Sequence, residues 1–193
     1  MSARLLRSGD YRRMPWKNGG GETVEIAVHP EASDLAAFGW RVSIATVASD
    51  GPFSVFPGID RTLAVLSGGG MELDIEGMGK YVLTPISEPL SFAADAPTAA
   101  RLSAGAITDL NVMTRRGAFS HRMQHSTTAE TKGISSQSRW LLLVASDPLG
   151  VETAEGLIGL QPLDTLLVEG PAPLGLVAAA GAAAFHLIEI DPA

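Results

Sequence analysis

Short stretches of alternating polarity, each closed by Gly or Pro, follow one another along almost the whole chain. The plainest runs from Trp40 to Val47. Trp40, Val42 and Ile44 share one face, while Arg41, Ser43, Ala45 and Val47 share the other. Met71 to Glu76 alternates apolar and acidic residues, as a half-buried strand does. Further strands are predicted at 4–7, 23–29, 62–66, 80–83, 89–93, 98–103 and 108–116. Turn signals separate them, among them Gly51-Pro52, Pro57-Gly58 and Gly68-Gly69-Gly70. Helical periodicity is nearly absent, leaving room for one-turn pieces. The pattern restricts the chain to an all-β fold, an antiparallel sandwich or barrel.

The order of strands occurs twice. Residues 126–138 are polar and rich in Ser and Thr, and read as a hairpin tip or linker. Beyond them, Trp140 to Ser146 parallels Thr62 to Ser67, and Val151 to Gly156 parallels Met71 to Gly77. Leu160 to Leu167 parallels the stretch from Leu83, and Gly175 to Ile190 parallels Ala99 to Met113. Two copies of one small barrel follow from this ordered repeat. The expected domains are 1–117, carrying the ligand site, and 118–193.

Composition narrows the function classes. In 193 residues, 46% hydrophobic and 18% charged describe a packed core rather than a disordered chain. The absence of cysteine excludes disulfides, thiolate metal sites and cysteine nucleophiles. A net charge of −7 argues against nucleic acid as a partner. No apolar run is long and uninterrupted enough to span a membrane as a helix, and with no cysteine a cytoplasmic location is the expectation. Arg4, Arg7, Arg12, Arg13 and Lys17 crowd the start, but no apolar core follows as in a secretory signal. They read as a surface strand, or as a positive rim that draws in an anion.

The densest chemistry lies at Trp16-Lys17-Asn18-Gly19-Gly20-Gly21-Glu22-Thr23. Consecutive glycines permit close approach of a ligand to backbone, and their amides are able to form an anion-binding concavity. Lys17 adds a point charge, Asn18 a donor and an acceptor, and Trp16 an apolar wall. This is not a P-loop, because Lys17 precedes the glycines and a strand follows them. A plain Gly-rich turn with a solvated lysine is the alternative. Arg41 and Ser43 point together into a polar cavity or into solvent. Arg61 follows Asp60, so a ligand contact competes with a local ion pair.

The histidines are His29, His121, His125 and His186, and none forms His-x-His. Neither a metal nor another cofactor is expected, although His121 and His125 are spaced to share one face of a strand. No G-x-S-x-G occurs. Were the chain an enzyme, Glu22 or Asp109 would be its acid–base group.

Five segments resemble the HutD/Ves family, bacterial proteins of the cupin-type β-barrel class associated with histidine utilisation. They are W-K-N-G-G-G-E-T at 16–23, W-R-V-S at 40–43, G-P-F-S-V-F-P-G-I-D-R at 51–61, G-G-G-M-E-L at 68–73 and D-L-N-V-M-T-R-R at 109–116. The chain departs from the pattern at Phe92-Ala93-Ala94-Asp95, where family members tend to have Gly before the Asp. The resemblance implies a bicupin that binds N-formyl-L-glutamate and regulates histidine catabolism without metal. In that reading Arg61 takes one carboxylate of a small anionic metabolite. Lys17 and the amides of Gly19 to Gly21 take the other, and Asn18 meets the formamide. Trp16, Thr23, Arg41, Phe56 and Asn111 complete the expected site. The rival is a hydrolase or isomerase acting on an acyl amino acid. A homodimer through the apolar strands after residue 118 is a further expectation.

Overall fold

The computed structural model describes residues 2–16, 19–129, 132–178 and 181–193. Its strands are β1 (Ser2–Leu6), β2 (Arg12–Pro15), β3 (Gly21–His29), β4 (Trp40–Val47), β5 (Gly51–Pro52), β6 (Ile59–Ser67), β7 (Met71–Ile75), β8 (Gly79–Leu83), β9 (Leu90–Ala93), β10 (Thr98–Leu102) and β11 (Ile107–Arg115). They continue as β12 (Phe119–Thr128), β13 (Lys132–Ser136), β14 (Trp140–Ala145), β15 (Leu149–Thr153), β16 (Gly156–Leu160), β17 (Thr165–Glu169), β18 (Ala172–Ala178) and β19 (Ala183–Pro192). Among the described residues the one helical piece is a single 3-10 turn, Ser8–Asp10. The all-β expectation holds.

The chain forms two compact units, Arg12–Ser120 and a second made of Met1–Tyr11 with His121–Ala193. In the first, one sheet has the order β2-β3-β4-β11-β6-β9 and the other β5-β10-β7-β8. Ala45, Val47, Leu63, Val65 and Ile107 of the larger sheet pack against Met71, Leu73, Ile75, Leu83 and Ala100 of the smaller. Alternation explains this, since each strand sends every second residue to that shared interior.

The second unit has sheets of order β1-β17-β14-β19-β12 and β13-β18-β15-β16. Its order β12-β19-β14-β17 repeats β4-β11-β6-β9, and β13-β18-β15-β16 repeats β5-β10-β7-β8. The same eight-strand pattern is therefore used twice, as the ordered repeat in the sequence implies.

Two expectations are corrected. The first strand does not belong with the N-terminal barrel. β1 pairs antiparallel with β17, from Ser2↔Glu169 to Leu6↔Thr165, and Leu5 packs on the C-terminal core. Polar contacts fasten the same segment. Tyr11 donates to the Leu163 carbonyl at 2.7 Å, and Asp164 accepts from the Ser8 amide at 2.8 Å and from Arg7 at 2.7 Å. The Ser/Thr-rich region is also more than a linker: β12 continues to Thr128, and β13 occupies Lys132–Ser136. Residues 130 and 131, between them, lie outside the described residues.

Candidate functional site

A layer of polar side chains lies inside the N-terminal barrel, between two apolar clusters. It is built by register. On β4, Arg41 and Ser43 face inward; on β11, Ser43 is opposite Asn111 and Arg41 is opposite Met113. On β6, Arg61 is the other neighbour of Met113, and Leu63 that of Asn111. On β3, Glu25 stands opposite Ser43 and Thr23 opposite Ala45. Arg41, Ser43, Arg61, Asp109 and Asn111 are all buried. Phe38, Ile59, Ala94 and Met113 form an apolar cluster on one side of them, and the inter-sheet core lies on the other.

The two arginines are treated differently. Arg41 has its own counter-ion: its Nε donates to Glu25 at 2.7 Å, and its Nη1 donates to Ser43 at 3.4 Å. Among the described residues Arg61 has none in contact. Its guanidinium lies 5.4 Å from the ring centres of Phe53 and Phe56 and 5.8 Å from that of Phe92. Its Nη2 reaches only the Met113 sulfur, at 3.9 Å. Its buried Nε has no hydrogen-bond partner. Buried N–H groups are almost always satisfied, so an unpartnered guanidinium N–H among aromatic walls is the exception in this layer. Burial lowers the Arg61 pKa to about 10, with Asp109 opposing the shift and Arg41 adding to it.

Asp109 is the second unusual group. It is only 1% exposed, and Asn111 donates to it through Nδ2. Burial raises its carboxyl to about 7, against the opposing pull of Arg61 and the Asn111 hydrogen bond. The layer thus holds one satisfied ion pair, Arg41–Glu25, and one loose pair of charges, Arg61 and Asp109.

The glycine-rich loop sits at the start of β3. Trp16 donates through Nε1 to the Thr23 hydroxyl at 2.8 Å and packs on the inter-sheet core. Gly19 adopts φ +71° and its amide donates to the Trp16 carbonyl at 3.1 Å. That amide is spent on the turn, which corrects the expectation that the amides of all three glycines cradle an anion. Gly20 is buried, and its carbonyl accepts from the Ala48 amide at 2.9 Å. Lys17 and Asn18 lie outside the described residues. Gly21 is required by close approach: a Cβ there would meet the Thr46 carbonyl oxygen at 2.0 Å. Gly21→Ala must push β3 from β4, and we expect a loss of at least about 3 kcal/mol, read from the urea midpoint.

Of the expected ligand residues, Arg41, Arg61 and Asn111 share the polar layer, and Phe56 flanks Arg61. Trp16 and Thr23 are bonded to each other nearby in the chain fold. Glu22 is placed differently. It is on the outer face of β3 and pairs with Arg13 at 2.6 Å, away from the buried layer that holds Asp109. The competing ion pair of Asp60 with Arg61 is not formed, because Asp60 accepts from Arg116 at 2.8 Å. Sequence reasoning did not assign Phe53 and Phe92 to Arg61, nor Glu25 to Arg41. Parity supplied a signal for Glu25, which shares its face with Thr23.

Two other places are poorer candidates for an anion. Phe53 also lines a surface groove of about 470 Å³, but Asp74 and Glu76 stand in the same wall. In the C-terminal unit the strands matching β6 and β11 fill their interior with Leu141, Leu143, Ala145, Phe185 and Leu187. His125 and His186 lie there with ring centres 5.0 Å apart and planes tilted by 35°, outside that core. Among the described residues no group of three or more His, Asp or Glu is arranged to hold a metal. No helix among them is long and apolar enough to cross a membrane.

The family model for HutD matches residues 8–185. The chain belongs to the HutD family. A 21.2 kDa protein from the region 3′ of hutC in Pseudomonas putida is 39% identical over 150 residues, 78% of this chain and 77% of that one. The crystal structure of a conserved protein of unknown function from Pseudomonas aeruginosa PAO1 superposes with a TM-score of 0.90 at 34% identity, covering 99% of this chain and all of that one. HutD from Pseudomonas fluorescens SBW25 superposes at 0.84 with 31% identity over the full length of both. A cupin 2 conserved barrel domain protein from Leptotrichia buccalis, at 10% identity and a TM-score of 0.63 over 96% of this chain and all of that one, shares the fold. The HutD family is thus linked by name and gene context to histidine utilisation, and its fold is cupin-like.

Proposed function

We propose that the N-terminal barrel binds a small dicarboxylate, N-formyl-L-glutamate in the first instance, and that this HutD-family protein regulates histidine catabolism through that binding. The observation that carries the reading is Arg61, a buried guanidinium with an unpartnered Nε and no carboxylate in contact. A ligand carboxylate supplies the missing acceptor in the bidentate geometry that Arg favours. Charge-assisted hydrogen bonds contribute about 1.5–3 kcal/mol each. Two anchors plus aromatic packing are enough for roughly micromolar affinity, about −8 kcal/mol. Asn111 offers an amide beside Arg61's strand for the acyl group.

One observation favours a second reading. Asp109, raised to about 7, has the proton affinity that acid–base chemistry at neutral pH uses. A single titration separates the two. Metal-stripped protein is titrated calorimetrically with N-formyl-L-glutamate, with glutamate and urocanate as controls, and the mixture is then assayed for products. Saturable heat without product is the expected result. Product lost in Asp109→Asn would make this an enzyme, and absence of heat with every compound would remove the proposed ligand.

A further inference from the structure

We propose that the barrel takes up a proton together with its anion: when a ligand carboxylate engages Arg61, Asp109 becomes neutral and stays neutral while the ligand is bound. This rests on the reading that Arg61 receives the carboxylate.

The geometry argues it through charge. The buried layer contains Arg41, Glu25, Arg61 and Asp109. Arg41 and Glu25 cancel one another at 2.7 Å. Arg61 is left with Asp109, a buried carboxyl on the inward face of the same sheet that attracts it without touching it, while its guanidinium faces three phenylalanine rings. An incoming carboxylate satisfies the Nε of Arg61 and takes over its charge. Asp109 then remains as a second anion in an interior flanked by apolar clusters. Two carboxylates cannot both stay ionised beside one guanidinium at low dielectric, so one acquires a proton. Asp109 is the one that does, because Arg61 now holds the ligand oxygens directly and only Asn111 donates to Asp109. Its other oxygen is free to carry the proton.

The groups that face Asp109 are few. From the same sheet Arg61 on β6 acts through its charge and Asn111 on β11 through its hydrogen bond, while Glu25 on β3 and Arg41 on β4 lie further along the layer, in register with Ser43 and Met113. From the opposite sheet Tyr81 packs on the apolar floor. His29 lies on the outer face, where it stacks on Trp40 at 5.7 Å. The carboxylates of an acyl amino acid titrate near 3–4 and are ionised throughout the relevant range. Burial already holds the Asp109 carboxyl near neutrality in the empty barrel. Below about pH 6 it is therefore protonated beforehand, and affinity is flat. Above about pH 7 a proton must enter with the ligand, and affinity falls by up to roughly tenfold per pH unit.

The test is calorimetric titration of the full chain with N-formyl-L-glutamate at about pH 7.5 in HEPES and in Tris, whose ionisation enthalpies differ. The dependence of the observed heat on buffer reports the protons taken up. We expect up to about one proton per ligand, and a dissociation constant that rises with pH as described. Asp109→Asn, checked for folding by circular dichroism, is expected to bind with no buffer dependence and no pH dependence. The wild-type buffer comparison stands without the variant. Binding with zero proton uptake overturns this inference and leaves the ligand assignment intact. Proton uptake that persists in a folded Asp109→Asn also overturns it. If neither N-formyl-L-glutamate nor glutarate binds at any pH, both readings fall together.

Discussion

Replacing Arg61 with methionine is expected to abolish carboxylate binding while leaving the fold as stable as before or more so. The guanidinium is buried, its Nε lacks a partner, and its closest polar contact is the Met113 sulfur. Burial of a charge costs several kcal/mol, which the three aromatic faces and the Asp109 charge only partly offset. Exchange of such a group for an apolar one of similar length is often neutral or stabilising by about 1–4 kcal/mol. Asp109 does not become a stranded charge in the variant. Arg61 is what opposes the upward shift of its carboxyl, so without Arg61 it is neutral at pH 7. Binding behaves in the opposite sense. Loss of two charge-assisted hydrogen bonds raises the dissociation constant at least about 100-fold. Arg61→Lys keeps the charge but not the fork, and falls between. Titration with N-formyl-L-glutamate and urea unfolding at about pH 6 measure both effects. Undiminished binding would place the anion elsewhere. A large loss of stability would mean that Arg61 serves the packing of Phe53, Phe56 and Phe92.

Local pattern carried the fold because strand parity is a local property. The alternation from Trp40 to Val47 is enough to put Arg41 and Ser43 on one face, and both are inside the barrel. Which side of the sheet counts as inside follows from the apolar residues of the strands opposite, and Met71, Leu73 and Ile75 supply them. What was not legible is long-range. Ser2–Leu6 reads as a strand anywhere, and only its register with Thr165–Glu169 assigns it to the C-terminal unit. Phe53, Phe56 and Phe92 are ordinary core aromatics until Arg61 is found among them. The bulge between Glu25 and Ala27 shifts the register of β3, so parity counted from its far end misplaces Glu25. On sequence alone the triple glycine reads as an anion cradle or as a plain Gly-rich turn. Its clearest duties are steric and turn-forming, seen at Gly21 against Thr46 and at Gly19 in the turn.

Asp109→Asn is expected to stabilise the protein above neutral pH and to flatten part of its pH profile. The folded-state carboxyl sits near 7, above its unfolded value of 3.8. The folded protein therefore holds this proton more tightly than the unfolded chain does. The resulting stabilisation is fully present below the unfolded value and is lost as pH rises through about 7. Three units at about 1.4 kcal/mol each put the loss on the order of 4 kcal/mol. Asparagine has no proton to lose, so the gap between variant and wild type opens across that window and is constant above it. His186 titrates in the opposite sense. Burial, with a smaller contribution from His125, lowers it to about 4, so its contribution grows as pH rises through that region. It is the same in both proteins and cancels in the difference. Urea midpoints at about pH 5, 6, 7 and 8 measure the gap. A wild type and variant with parallel profiles would mean that the carboxyl is already neutral, or already satisfied, at every pH. A widening gap would mean that the barrel sustains a costly buried carboxylate beside Arg61. Packing alone does not call for such a charge, whereas a site that must release Arg61 to an incoming anion does.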